Sequence, residues 1–195
     1  ARTVALVVTE DFPDRFVAMF YWLILVAAAS RFLPHPPNVA CVGAIGLFAG
    51  CYLSGVRAYL VPIVILCLSD LIGQLLGVSG MGFYQPITMA TVYAGATAAV
   101  FVGRLMSLSS HRFARVPAGS LLASTMFFLL SNFGVWLGGW YAMTLSGLVA
   151  CYTAAIPFFG YTLAGDMAFS LLLFGVWEWS RSSSSHKLQA ALSSI

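Results

Sequence analysis

The chain has 195 residues, of which 61% are hydrophobic and only 8% charged, with a net charge of +3 and a mean hydropathy of +0.93. A water-soluble domain carries about 25% charged residues, so this composition excludes a folded surface exposed mainly to water. The length is better divided into membrane spans of about 20 residues each than into soluble domains.

Residues 1–15 are too polar to span, and the apolar stretch Thr3–Val8 is too short; they read as an interfacial or soluble lead-in. A first apolar run covers 16–33. Pro34-His35-Pro36-Pro37-Asn38 then ends it, because three prolines in four residues cannot continue a helix. The second run, 39–55, follows Asn38 as N-cap. It carries Gly46 and Gly50 four residues apart, a small face for close helix packing.

Ser54-Gly55-Val56-Arg57 makes the next turn. The third run, 58–77, contains Asp70 and Gln74 on one face. A glycine-rich break with Tyr84 and Gln85 leads into the fourth run, 86–106, whose small face is Gly95 and Ala99. Ser107–Ala118 is polar and basic, and its His111, Arg112 and Arg115 are placed to meet lipid headgroups. The fifth run, 119–139, holds Asn132 and Trp136, with Trp140 continuing the same line. The segment 140–161 is apolar but broken by Gly147, Pro157 and Gly160, and the last run, 162–179, holds Asp166. A serine-rich polar tail, 180–195, closes the chain.

The 140–161 segment decides between six and seven spans. With six, one side of the membrane receives every Lys and Arg except Arg31; with seven, Arg181 and Lys187 change sides. Basic residues concentrate on the cytoplasmic side, so the expected fold is an all-α integral membrane protein of six helices. Both termini are cytoplasmic, with 140–161 an outer interfacial or re-entrant segment. The membrane domain is 16–179, and the membrane is a bacterial inner or an organellar one. The positive charge reads as a topology signal, and no nucleic-acid partner is expected.

The four cysteines, Cys41, Cys51, Cys67 and Cys151, lie in apolar runs without metal-ligand spacing and read as buried thiols. No nucleotide-binding or hydrolase motif is present, so neither an enzyme nor an autonomous ATP-driven pump is expected, and no cofactor or metal is implied. Polar side chains in a membrane need partners or a purpose. On the six-span topology, Asp70, Gln74, Asn132 and Asp166 all fall in the outer half. They would orient a ligand between Tyr84, Trp136 and Trp140 as walls, with His35 and Asn38 in a lid. The bland reading stands beside it. Asp70 could bond Asn132, Asp166 could cap its own helix, Trp140 could be an interfacial aromatic, and His35 a loop hydrogen-bonder.

Arg31–Asn38, Leu68-Ser69-Asp70, Ser131-Asn132-Phe133-Gly134-Val135-Trp136 and Ala154–Phe159 together resemble a family of uncharacterised small bacterial membrane proteins, over roughly residues 24–178. The architecture is similar to the substrate-binding (S) components of energy-coupling-factor transporters. That resemblance implies six helices, a vitamin-like solute bound near the outer face, and a separate transmembrane energising partner. S components often dock through an Ala-x-x-x-Ala face on the first helix, whereas this chain has Ala27-Ala28-Ala29-Ser30. The expected function is therefore small-solute binding and uptake at the lipid bilayer. The alternative is an accessory structural subunit of a larger respiratory or photosynthetic membrane complex, binding lipid or pigment.

Overall fold

A computed structural model describes residues 22, 24–32, 41–78, 80–109 and 111–193, with side chains described as far as 181. All regular structure among them is helical. Helical residues 24–30 (α1) precede α2 (Val42–Tyr52), α3 (Arg57–Leu75), α4 (Pro86–Ser107), a 3-10 turn at Phe113–Arg115, α5 (Val116–Leu137) and α6 (Leu145–Ser193). Four segments are long and apolar enough to cross a membrane: Arg57–Leu75, Pro86–Ser107, Phe113–Leu137 and Leu145–Arg181. The protein is thus of helical membrane type. The lead-in at 1–15 and the prolyl loop with His35 and Asn38 lie outside the described residues.

The helix ends follow the local sequence. Proline sits in the first turn of both α4 and α5, where its missing N–H would have had no intrahelical partner. Gly139, just beyond α5, takes a left-handed backbone (φ +80°) that a side chain would disfavour. Its carbonyl-side neighbours then turn the chain back into α6.

Two stretches differ from expectation. The segment 140–161 does not fold back on itself from Leu145 onward: it is the first part of α6, which runs unbroken from Leu145 to Ser193. Pro157 lies inside that helix, which membrane helices tolerate when neighbouring groups take up the freed carbonyl. The polar tail also continues this helix as far as Ser193. The other surprise is α2, which has only 11 residues. At about 16 Å it is half the hydrocarbon thickness, and it falls short of a span.

Nearly every residue of α2 is buried, as expected of a helix apolar on all sides. One face packs with Ala27, Ala28, Val61 and Ile65 of α1 and α3. The other packs with Ala99, Val102, Met106 and Phe174 of α4 and α6. The small face read from Gly46 and Gly50 makes the α2–α4 crossing. A Cβ on Gly50 would collide with the Val100 carbonyl, and one on Gly103 with the Leu47 carbonyl. The backbones therefore touch, the arrangement that small residues permit where there is no hydrophobic force between helices.

α3, α4 and α5 place Arg57, Arg104 and Arg115 at one end of the bundle, the basic end. The opposite end carries the 76–85 and 138–144 connections, the turn end. α5 runs from basic end to turn end and α6 returns beside it.

Candidate functional site

Between α2, α4, α5 and α6 lies a cavity of about 750 Å³, within the size range of small-molecule sites. Tyr84 and Met81 of the α3–α4 connection line its upper part, and Asp166, Gly43 and Ala99 line its depth. Phe127, Phe128, Phe158 and Phe159 supply aromatic walls. The polar lining groups include Arg31, Thr88, Ser131, Asn132 and Thr162.

Of the seven expected site residues that fall among the described ones, three line this cavity. Tyr84 stands exposed at the rim. Asn132 is on the cavity lining. Its Nδ2 donates to the Phe128 carbonyl of its own helix at 2.8 Å, and among the described residues its side chain makes no other hydrogen bond. Asp166 is the floor, and it lies deeper than expected. The reason is the length of α6: Asp166 is not in the first turns of a helix beginning at 162 but about 30 Å along one beginning at Leu145. The Ser124 hydroxyl donates to its Oδ2 at 2.8 Å, and Ser124 is about 12 Å of helix from the basic end of α5 against about 20 Å from its other end.

Asp166 does not cap its own helix. A Cβ on Gly43 would collide with its carboxylate, which lies beside the Ala44 backbone N–H. Gly43 and Ala44 belong to the first turn of α2, whose N–H groups have no intrahelical acceptor. This helix begins at the cavity lining. A carboxylate from α6 lies against its first turn, and the helix dipole favours its charge there.

Asp70 is claimed by a different partner from the one expected. Arg31 Nη1 donates to Asp70 Oδ1 at 2.9 Å, Tyr93 Oη donates to Asp70 Oδ2 at 2.8 Å, and Arg31 also reaches the Ser69 hydroxyl. The Asp70 side chain is 7% exposed and that of Arg31 17%. No Asp70–Asn132 bond forms among the described residues. In the sequence Arg31 stands out only as the lone basic residue of its side. Its position within an apolar run was the available signal, since an arginine there requires an acid.

The remaining candidates hold the turn end together. Gln74 Oε1 accepts the Phe83 N–H at 3.0 Å, tying the α3–α4 connection to the end of α3. Trp136 Nε1 donates to the Ala142 carbonyl at 3.0 Å and Trp140 Nε1 to Gln85 Oε1 at 2.9 Å. Gln85 in turn donates to the Gly138 carbonyl, so it clasps the ends of α4 and α5. Trp136 is therefore not a cavity wall, and Trp140 does more than sit at an interface. Trp140, Gln74 and Tyr84 border a second cleft beside the first. Three cysteines are buried as expected, but Cys67 is exposed; all four are free.

No curated protein and no solved structure matches the chain. Residues 13–190, the cavity-forming helices included, match a family of unknown function, DUF6580, and the chain belongs to that family.

Proposed function

We propose that the protein is a membrane solute-binding and uptake protein, built on a six-helix plan resembling the S components of energy-coupling-factor transporters. The supporting observation is the cavity of about 750 Å³, in which aromatic walls converge with an amide, hydroxyls and a carboxylate within otherwise apolar helices. A small micronutrient-like solute enters from the turn end, past Tyr84, and is oriented by Asn132. The basic end is cytoplasmic, in keeping with the clustering of Arg57, Arg104, Arg112 and Arg115, and so are both termini. The membrane is a bacterial inner or an organellar one. A transmembrane energising partner drives movement of the solute, as in the S-component plan that the chain resembles.

Mass spectrometry of small molecules co-purifying with the detergent-solubilised protein tests this reading. A defined solute retained by the wild type is expected to be lost from Asn132→Leu and from Ala123→Phe, which fills the cavity, while helical content and elution volume are kept. Equal recovery from all three proteins, or no solute from any, refutes it.

A second reading has its own support. Asp70, Gln74, Trp136 and Trp140 are all engaged within the chain, as internal ties of an accessory subunit of a larger membrane complex would be. A fixed protein partner recovered in constant ratio, with no solute, favours that reading.

A further inference from the structure

One turn from the Ser124–Asp166 bond towards the basic end, α5 carries Ser120 and α6 carries Ser170. The helices are antiparallel, so residues four before Ser124 and four after Asp166 fall at the same level on the shared seam. The burial is complete: Ser120 is 1% exposed, Ser124 and Ser170 0%, and Asp166 4%. The Ser120 and Ser170 hydroxyls have no hydrogen-bond partner among the described residues.

That contrasts with most other helical hydroxyls among the described residues, Thr88 being an exception that donates to the Gln85 side chain and the Gly134 carbonyl. Ser69, Thr97, Thr125, Ser131, Thr153 and Thr162 each donate to a carbonyl three or four residues back. This local bond is open to any serine in a helix, and in a water-free interior a hydroxyl that forgoes it is costly. Three seam serines forgo it. Ser124 turns to Asp166, while Ser120 and Ser170 turn to nothing that the described residues provide.

The charges point the same way. The Arg31 guanidinium on the cavity lining is matched by Asp70, but Asp166 has no cationic partner among the described residues. Its carboxylate has about four acceptor positions, of which the Ser124 hydroxyl uses one. The local donor set is one carboxylate and three hydroxyl oxygens. No three His, Cys, Asp or Glu side chains come together among the described residues. Hard oxygen ligands with a single negative charge suit a small hard ion and not a soft transition metal, and one charge balances a monovalent ion.

We infer that Asp166, Ser124, Ser120 and Ser170 form a buried site for a small monovalent cation, with sodium as the test ion, beneath the solute cavity. The cavity is its entry path, since Asp166 lines it. The ion neutralises the carboxylate and satisfies the two idle hydroxyls, and it braces α5 against α6 directly under any bound solute. The inference rests on the seam and not on solute binding.

Thermal unfolding of the full-length chain in detergent, with no solute added, is the test. Sodium chloride is expected to raise the midpoint by roughly 5 °C at saturation, and equimolar choline chloride to leave it unmoved. Asp166→Asn is expected to abolish the response. Because that change also disturbs the start of α2, the double variant Ser120→Ala/Ser170→Ala provides a second arm: it spares the carboxylate and should weaken the apparent sodium affinity at least tenfold. Direct binding of radioactive sodium should follow the same order. An equal response to choline, an unmoved wild type, or a double variant with wild-type sodium affinity overturns the site: the unmoved wild type leaves protons or water as the occupants of the seam, and the unchanged double variant places sodium away from these hydroxyls. Failure here leaves the solute proposal standing, because each is read without the other.

Discussion

Removing Arg31 should do more damage than removing any other single polar side chain at the turn end. Arg31→Met leaves the Asp70 side chain, 7% exposed, with Tyr93 as its remaining strong partner. With an N–O distance of 2.9 Å the charge centres are about 4 Å apart, and at an effective dielectric of about 20 the lost attraction is about 4 kcal/mol. This agrees with the 3–5 kcal/mol typical of breaking a buried pair from one side. The double variant Arg31→Met/Asp70→Leu removes the stranded charge and should recover most of that loss. Tyr93→Phe alone, which removes one bond to a charged acceptor, should cost about 2 kcal/mol. The assay is a double-mutant cycle on equilibrium unfolding by SDS titration in mixed micelles. A coupling below about 0.5 kcal/mol between positions 31 and 70 would mean that the pair behaves like an exposed ion pair, and the placement of Arg31 in the core of the site would be wrong.

At the α2–α4 crossing, Gly50→Leu forces backbones apart that now touch; it should destabilise by about 3 kcal/mol or more. Gly160→Ala, with open space around the added methyl, should change the same SDS midpoint little, within about 0.5 kcal/mol. Trp136→Phe removes the indole bond to Ala142. The loss of about 1 kcal/mol of local stability should speed amide exchange across 138–144 about fivefold while leaving α5 unchanged by hydrogen–deuterium exchange.

The long apolar runs and their breaks were legible because a bilayer permits few backbone solutions, and helix length follows from its thickness. The Gly46/Gly50 face was legible for a similar reason: small residues at helical spacing have one use that does not depend on the partner. What escaped was everything set by pairing between distant segments. The bond between Arg31 and Asp70 spans 39 residues of sequence. The breakers Gly147, Pro157 and Gly160 looked like an interruption, yet local weakness in α6 is offset by packing along α5, where Tyr152 donates to the Leu129 carbonyl. That misplaced helix start carried Asp166 with it. The seam serines were invisible because membrane-helix serines usually bond their own backbone, and only their failure to do so, seen in three dimensions, sets them apart.

The short α2 has a consequence for how the protein is made. Its first turn is completed by a residue synthesised more than a hundred positions later, so a nascent chain carrying α2 through α5 holds a helix end with exposed N–H groups and a cavity with no floor. A segment of 11 residues is also too short to be held in the bilayer by its own hydrophobicity. It stays there only as part of a hairpin with its neighbours, and it is locked when the last helix arrives. Chains that stop before Asp166 are expected to leave those N–H groups without the carboxylate, and the cavity takes its full lining only when α6 is in place.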